Sequence, residues 1–380
     1  MSAKPRLLII SFTDARRDPR VYKQAFFLRD TYDIAVAGFG DPEIEGIKFI
    51  PIDHVPAKNI FMKLWRAGNL LIGNSGPFLQ RFILRNKQDL TKFHFNIVLV
   101  NDVEPFPLAF SFAKKAPVVF DAHEYYPQLY NDMFWKIFHK AHNIKLCRKF
   151  IPLCSGITTV CEGIAKEYRI KFGVEPELIY NTPLYHALTS SIGHGERIRL
   201  IYHGGVAPDR GIEQMLDMMS CVDSRFTLDL MVVGNQMYID SLKDYAKGKE
   251  NIRWKKPVPM PEICSALNEY DMGLYIISPT SFNNLHSLPN KFFEFIQARL
   301  AIAIGPSPEM ASIVEKHHLG VIADDFTPQS LAAKLNALTT DDVMHFKRNA
   351  DNVAKLYNAE AGIPIMKEVL RRALSQSSTH

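Results

Sequence analysis

The chain has 380 residues, of which 47% are hydrophobic and 22% are charged. This composition excludes a disordered protein, and the length allows two domains of ordinary size. No stretch approaches the roughly 18 to 20 consecutive apolar residues of a membrane helix, and the apolar run Leu7–Ile10 is too short for a signal peptide. The five cysteines form no CxxC pair, which favours a reducing compartment over disulfides or a metal site. These features predict a cytoplasmic protein.

The net charge of +5 is unevenly distributed. Residues 58–92 carry a net charge of +6 and residues 136–149 carry +5, so the rest of the chain is acidic. In the first stretch Phe61, Leu64 and Trp65 have helical spacing beside lysines, a pattern that favours an anionic membrane surface. The alternative is that these apolar residues pack into a core. Nucleic acid is not expected as a partner, because no binding motif accompanies the basic residues.

Short apolar runs alternate with helical patterns along the whole chain. Uninterrupted apolar runs are typical of parallel strands that are buried on both faces. Two such series predict two doubly wound α/β domains, and the polar segment 189–195 predicts the linker between them. The predicted strands are Leu7–Phe12, Ile34–Phe39, Ile97–Asn101, Val118–Asp121, Ile157–Val160, Leu178–Tyr180, Leu200–His203, Leu228–Gly234, Met272–Ile277, Ala301–Gly305 and Val321–Ala323.

The loop after the first strand is one candidate site segment, because ligands of open parallel sheets bind beyond the carboxyl ends of the strands. Asp18 and Pro19 predict a capped helix start. Arg16 and Arg17 come just before that helix, where the N-terminus already favours anions. A solvated loop is an equally good interpretation of the two arginines.

The loop after the fourth predicted strand carries His123 and Glu124 next to Asp121. These are more polar groups than a turn requires, since turns favour Gly, Asn and Pro. A structural histidine is the default interpretation of His123 taken alone. Its position at the carboxyl end of a strand favours a functional site.

The second half contains two segments that are suited to phosphate. Gly204 and Gly205 follow a strand and allow the backbone to approach a phosphate, with Arg210 near the next helix start. The segment does not match the dinucleotide or Walker patterns. Further along, the polar side chains Ser287, Asn290 and Lys291 cluster at the N-terminus of a predicted helix, a natural cradle for a diphosphate, and Glu294 lies one turn later.

The run SLPNKFFEF followed by AIAIGPSPEMASIV resembles retaining glycosyltransferases of the GT-B fold, specifically family 4. The segment FDAHEYYP is similar to the acceptor-side loop of that family. LYNAEAGIPIMKEVLRRAL is similar to its terminal helix, which returns to the first domain. The resemblance implies two Rossmann-like domains that face each other across a cleft, residues 1–188 with the helix 361–376, and residues 197–358.

The resemblance also implies roles for individual residues. Arg210 and Lys291 would stabilise a departing diphosphate, Glu294 would hold the ribose, and His123 would contact the transferred sugar; these four form the catalytic group. Nucleotide-sugar is the expected co-substrate, with no metal and no other cofactor. The donor-binding group is Gly204, Gly205, Arg210, His286, Ser287, Asn290, Lys291 and Glu294, and the acceptor-binding group is Arg16, Arg17 and Glu124.

The sequence departs from the family pattern at three places. His286 stands where the family often has the first glutamate of Glu-x7-Glu, Gly205 stands where it often has a basic residue, and the first loop has Arg16 and Arg17 instead of two glycines. Our hypothesis is an enzyme that extends a lipid-linked saccharide for a bacterial surface polysaccharide, at the inner face of the cytoplasmic membrane through stretches 58–92 and 136–149. The alternatives are a non-catalytic scaffold that binds nucleotide-sugar and a nucleotide-sugar epimerase of the same fold.

Overall fold

The computed structural model describes residues 4–53, 76–113, 116–190 and 197–377. The chain divides into two compact units: Met1–Tyr180 with Gly362–His380, and Asn181–Ala361. Each unit contains one parallel sheet with helices in the crossover connections. The predicted class, two doubly wound α/β domains, is confirmed. None of the helices within the described ranges is long and apolar enough to span a membrane.

The sheet of the first unit has the strand order β3-β2-β1-β4-β5-β6-β7. Every neighbouring pair is parallel. The order reverses between β1 and β4, and this is the point at which open α/β sheets form a crevice for ligands. The strands are β1 (Arg6–Ile10), β2 (Asp33–Gly38), β3 (Lys48–Pro51), β4 (Ile97–Asn101), β5 (Val118–Ala122), β6 (Gly156–Thr159) and β7 (Glu177–Leu178).

The sheet of the second unit repeats this plan with the order β10-β9-β8-β11-β12-β13. All its pairs are parallel, and the order reverses between β8 and β11. The strands are β8 (Ile198–Val206), β9 (Phe226–Gly234), β10 (Ile252–Lys255), β11 (Met272–Tyr275), β12 (Ala301–Ile304) and β13 (Gly320–Ile322).

The helices follow the strands in the alternation that parallel sheets require. Asp18 caps the first helix as predicted, since its side chain accepts from the backbone N–H groups of Arg20 and Val21. The helices are Pro19–Leu28, Gly76–Thr91, Phe106–Phe112, Met133–Phe138, Lys140–Phe150, Glu162–Phe172, Ile212–Met218, Gln236–Tyr245, Ile263–Leu267, Phe282–Leu285, Asn290–Gln297, Pro308–His317, Pro328–Asn336, Thr340–Val353 and Ala359–Ser377.

All eleven predicted strands are present, with ends shifted by a few residues, but β3 and β10 were missed. Both lie at an edge of their sheet. An edge strand is covered less completely, so both mix polar and apolar side chains (KFIP and IRWK). They therefore lack the continuous apolar run that marked the others.

The division between the units differs from the predicted domain boundaries. The first unit ends at Tyr180 and not at residue 188. The segment after Tyr180 is attached to the second unit, because the His186 N–H donates to Gln297 Oε1 at 3.0 Å and the Ala359 N–H donates to the Pro183 carbonyl at 2.7 Å. Most of the predicted linker, residues 191–195, lies outside the described residues.

Gln297 fastens two segments of the second unit at once. It is fully buried, and its Nε2 donates to the carbonyls of Ala354 and Tyr357 at 2.6 and 2.9 Å. Its Oε1 accepts from His186, as described above. Three hydrogen bonds from one amide therefore join the helix Asn290–Gln297 to the segments that precede and follow the rest of the unit.

The helix Asn290–Gln297 lies directly against β11 because position 273 is glycine. A Cβ atom at Gly273 would lie 2.2 Å from the ring of Phe295, and Phe295 is fully buried. No real Cβ contact is that short, so an alanine at this position would have to push the helix away from the sheet.

We expect Gly273→Ala to lower the free energy of unfolding by about 1–3 kcal/mol, the usual cost of overpacking. Gly205→Ala is the matched control, because its Cβ would meet its nearest atom, Arg210 Nη1, at 3.8 Å; its effect should stay within about 1 kcal/mol. Urea unfolding followed by circular dichroism measures both. Equal urea midpoints for the two variants would contradict this packing.

Candidate functional site

The candidate site of the second unit lies at the carboxyl end of β8, beside the point where the strand order reverses. Gly204 has a φ of +112°, a conformation that L side chains rarely adopt. A Cβ atom there would lie 3.5 Å from Lys291 Nζ. The glycine thus leaves the backbone of β8 open next to the lysine.

Lys291 is buried although it carries an ammonium group. Its Nζ donates to the Tyr202 hydroxyl at 2.8 Å and lies over the rings of Tyr202 and Tyr275, 4.2 and 4.8 Å from their centroids. The pKa of Lys291 is lowered to about 7, chiefly by burial and also by the charge of the nearby Arg210, while the charge of Glu294 opposes part of the effect. Aromatic faces and a hydroxyl orient the ammonium but do not neutralise it.

Arg210 adds a second cation at the same place. It ends the turn Pro208–Arg210, it is exposed, and its Nη1 lies 3.8 Å from the Cβ position of Gly205. Among the described side chains, no carboxylate lies within 4.0 Å of its guanidinium. We call the group formed by Gly204, Gly205, Arg210 and Lys291 the cationic cradle. Its excess positive charge suits an anion with several oxygens.

Glu294 lies one helical turn from Lys291 and faces His203. His203 Nε2 is 3.2 Å from Glu294 Oε2, but the two groups do not have hydrogen-bond geometry. Burial, together with the charge of Lys291, lowers the pKa of His203 to about 3. The imidazole is therefore neutral at pH 7, and the carboxylate of Glu294 offsets part of the charge of Lys291.

The N-terminus of the helix Asn290–Gln297 completes the site. The residue before it, Pro289, accepts from the Phe292 N–H at 3.0 Å through its carbonyl but supplies no side-chain cap, so the helix start lacks the side-chain acceptor that a Ser or Asp would offer. Ser287 and Asn290 stand at this end, partly exposed. Uncapped N–H groups next to two cations favour an anionic ligand.

His286 is turned towards a carboxylate of another helix. Its Nδ1 lies 2.8 Å from Glu309 Oε1, and its ring packs against Phe282 with centroids 4.5 Å apart. Glu309 belongs to the first turn of the helix Pro308–His317. The structure thus gives His286 a defined orientation and adds Glu309 to its surroundings.

In the first unit, His123 belongs to a buried polar network at the carboxyl ends of β4 and β5. Its Nε2 lies 3.1 Å from Asn101 Oδ1 and 3.2 Å from Asp121 Oδ2. Gln24 donates to the same two residues, at 3.0 and 2.6 Å, and Thr158 donates to Asp121 at 2.6 Å. The network contacts the imidazole at Nε2, whereas Nδ1 has no hydrogen-bond partner within the described part of the chain.

The charge balance of this network rests on Asp121. Burial by itself would raise the pKa of the carboxyl group, but the charge and hydrogen bond of His123 and the hydrogen bond of Thr158 outweigh it, so the pKa is lowered. A carboxylate that stays ionised next to an imidazole fixes the orientation of the ring.

The predicted acceptor-binding residues lie near the same edge of the first sheet. Arg16 is exposed and pairs with Glu43 at 2.8 Å. Arg17 is largely exposed and lies 3.7 Å from Asp14. Glu124 is partly buried, and its carbonyl accepts from the Tyr168 hydroxyl at 2.9 Å. The structure places all three in strand-end loops.

In the second unit, four residues around the site were not predicted as site residues from the sequence: Tyr202, His203, Tyr275 and Glu309. A signal for the first two existed, because a tyrosine and a histidine interrupt an otherwise apolar strand just before Gly204. Tyr275 and Glu309 offered no such signal. The described residues contain no cluster of His, Cys, Asp and Glu that could hold a metal ion.

Comparison with protein families gives one match within the first half of the chain. The sequence profile of the family described as Glycosyltransferase Family 4 matches residues 62–182, a range that includes β4 to β7. A search of the curated proteins finds no match to this chain.

Several solved structures have the same fold over nearly the whole chain. Sucrose-phosphate synthase from Thermosynechococcus elongatus has a TM-score of 0.74 at 11% identity, covering 98% of this chain and 100% of that one. Anabaena HepE in complex with UDP and glucose has a TM-score of 0.68 at 12% identity, covering 97% and 99%. WaaG, a glycosyltransferase involved in lipopolysaccharide biosynthesis, has a TM-score of 0.59 at 10% identity, covering 94% and 98%.

At these identities the similarity shows the fold, which is GT-B. The predicted resemblance to family 4 glycosyltransferases of the GT-B fold is confirmed. The family match and the fold together support a glycosyltransferase.

The pKa of Lys291 predicts a specific dependence of stability on pH. Its folded value of about 7 lies below the ordinary value of 10.5, so unfolding takes up a proton between these two values. The buried ammonium therefore destabilises the fold fully below pH 7, and the cost disappears as the pH rises towards 10.5. Lys291→Met removes this cost.

Relative to wild type, Lys291→Met should be most stabilising at about pH 6, and the difference should shrink by a few kcal/mol at about pH 10, given about 1.4 kcal/mol per pKa unit. Urea unfolding at the two pH values measures it. Lys334→Met is the control, since Lys334 is on the surface in an ion pair with Asp324, and no such trend is expected. A pH-independent difference for Lys291→Met would show that the lysine is not buried as described.

Proposed function

We propose that the protein is a retaining glycosyltransferase that moves a sugar from a nucleoside diphosphate-sugar to a lipid-linked saccharide in the synthesis of a bacterial surface polysaccharide. The cationic cradle carries the proposal. It combines two cations, an uncapped helix N-terminus and an open glycine backbone at the carboxyl end of β8. A diphosphate offers the multiple anionic oxygens that such an arrangement recognises.

The same groups suit the chemistry of sugar transfer. The bond between the anomeric carbon and the diphosphate oxygen breaks, and both electrons leave with the diphosphate. Lys291 and Arg210 stabilise the negative charge that develops on it. The acceptor hydroxyl forms the new bond on the same face of the sugar, and its proton passes to an oxygen of the departing diphosphate. Oriented cations therefore do most of the catalytic work.

We assign the remaining donor contacts to residues around the cradle. Glu294 is suited to ribose hydroxyls, because its carboxylate accepts hydrogen bonds next to the diphosphate position. His286, Ser287 and Asn290 are proposed to bind the donor from the preceding loop. Titration with UDP is a reasonable first test, because HepE is known in complexes with UDP and with UDP-glucose.

The acceptor is assigned to the first unit. His123 is proposed to contact the transferred sugar and Arg16, Arg17 and Glu124 the acceptor, because these residues leave the carboxyl ends of β1 and β5. We propose a lipid-linked saccharide because the basic stretch 136–149 is suited to an anionic membrane surface. Of the other basic stretch, 58–92, residues 58–75 lie outside the described residues.

We further propose that transfer needs no metal ion, since Arg210 and Lys291 supply the positive charge that a divalent cation would otherwise provide. Activity that survives a chelator would support this part of the proposal. Loss of activity with EDTA and recovery with a divalent cation would reject it without affecting the assignment of the cradle.

The decisive experiment measures release of nucleoside diphosphate from a panel of nucleotide-sugars, with and without saccharide acceptors. Acceptor-dependent release supports the transferase, and nuclear magnetic resonance of the product reports whether the anomeric configuration is retained. Release without any acceptor would favour an epimerase-type hydrolytic enzyme. Binding with no release under any condition would favour a scaffold.

Removing the charge of Lys291 should reduce the turnover number. We expect Lys291→Met to lower kcat by about 10²–10³-fold, as loss of one preorganised group that stabilises leaving-group charge commonly does. Lys347→Met is the matched control, because Lys347 is also a buried lysine of the second unit and donates to the Tyr270 carbonyl, away from the cradle. Equal losses in both variants would indicate a general effect on folding and would contradict the assignment.

Donor binding should also be linked to proton uptake. Because the pKa of Lys291 is lowered to about 7 in the ligand-free protein, much of the lysine is neutral above that pH, and a diphosphate beside it would favour the ammonium form. We expect UDP binding at about pH 8 to take up close to one proton. Calorimetry in two buffers with different ionisation enthalpies measures this number. Uptake that persists in Lys291→Met would show that another group takes the proton.

A further inference from the structure

An exposed apolar surface borders the basic stretch of the first unit. In the helix Met133–Phe138, the side chains of Met133, Phe134 and Ile137 are 69%, 62% and 48% exposed. Their spacing of one and four residues places them on one face of the helix. We call these three residues the apolar face. Most large apolar side chains in the described structure are buried, so a cluster of three on a single short helix requires an explanation.

The apolar face is held in a fixed position by the residues around it. Asp132 caps the helix by accepting from the Trp135 N–H at 2.8 Å. Trp135, within the same helix, is buried and points away from the apolar face, where its ring packs against Tyr130 with centroids 6.1 Å apart. The helix also packs on the next one, Lys140–Phe150. The exposed side chains therefore belong to a structured element that presents them to the surroundings.

The charges that follow the apolar face along the chain are all of one sign. From Met133 to Leu153 the chain carries five basic side chains and no acidic one. Lys136 lies within the same helix, and Lys145, Arg148 and Lys149 are exposed on the next. The helix Lys140–Phe150 buries Leu146, Cys147 and Phe150 on its other side. A face that is apolar at one end and basic at the other matches the boundary between anionic headgroups and acyl chains.

We infer that the apolar face inserts into the surface of an anionic phospholipid bilayer, while the basic residues of the following helix bind the headgroups. The inference rests on the proposed function, since a lipid-linked acceptor lies in a membrane. Docking would bring the enzyme to that acceptor. Acidic residues lie near Tyr130: burial raises the pKa of that tyrosine, and the charges of Glu124, Glu104, Asp102 and Asp132 raise it further. Docking is therefore limited to the side formed by Met133, Phe134 and Ile137.

The test uses the full chain and sedimented vesicles of two compositions, pure phosphatidylcholine and an equal mixture with phosphatidylglycerol. Wild type should bind the mixture and bind pure phosphatidylcholine at least about tenfold more weakly, because several basic side chains contribute. The double variant Met133→Ser, Phe134→Ser should lose about tenfold or more of the binding to the mixture. The triple variant Lys145→Gln, Arg148→Gln, Lys149→Gln should lose the preference for the anionic mixture.

The matched control is the double variant Met237→Ser, Leu356→Ser, which removes two exposed apolar side chains, 82% and 60%, from the second unit. It should bind vesicles as wild type does. The chain has three tryptophans of its own, so Phe134→Trp is compared with wild type: when vesicles are added, its emission should shift further to the blue and be quenched more strongly by brominated lipid. Circular dichroism checks that each variant folds.

The inference is overturned if wild type binds both kinds of vesicle equally, if it binds neither, or if Met133→Ser, Phe134→Ser binds as well as wild type. Affinity for UDP, measured in solution without vesicles, separates this outcome from failure of the proposed function. Vesicle binding lost while UDP binding remains rejects only membrane docking. Vesicle binding without UDP binding leaves the docking surface intact and rejects the donor assignment.

Discussion

The site of the second unit depends on one unfavourable placement, an ammonium group buried among aromatic rings. Burial penalises the charged form of Lys291, and the neighbouring guanidinium of Arg210 adds to the penalty. The hydrogen bond that Lys291 donates to the Tyr202 hydroxyl and the faces of the Tyr202 and Tyr275 rings hold the ammonium group in place. Burying an ammonium group lowers the stability of the ligand-free protein, and an anion bound beside it offsets this cost. We therefore regard the free-energy cost of the buried charge at Lys291 as the physical basis of the proposed function.

The two sheets explain how that placement is reached. In a parallel sheet, loops from different strands meet at the carboxyl edge, and the reversal of strand order opens a gap between the loops that follow the paired strands β8 and β11. β8 brings Tyr202, His203 and Gly204 to this gap. The helix that carries Lys291 is held against β11 by the contact of Phe295 with Gly273. The first unit has the same plan between β1 and β4, and the network around His123 lies next to it.

The sequence predicted the class of fold and much of the site because both follow from local patterns. Buried parallel strands are continuous apolar runs, and glycines or polar groups just after them mark the ligand edge. Three kinds of feature were not predicted from the sequence. The edge strands β3 and β10 mix polar and apolar residues and lack a continuous apolar run. Tyr275 and Glu309 join the clusters only through tertiary contacts. The boundary at Tyr180 depends on hydrogen bonds to residues more than a hundred positions away, such as that between His186 and Gln297.

Position 297 accepts only a residue that can make all three hydrogen bonds of Gln297. Its amide gives two hydrogen bonds to carbonyl groups and receives one from a backbone N–H, with no water available because the side chain is fully buried. The isosteric glutamate would set oxygen against the oxygens of Ala354 and Tyr357, and asparagine is a methylene too short to reach all three partners. Homologues that keep this arrangement of segments should therefore show a single residue type here, without any contact between it and a substrate.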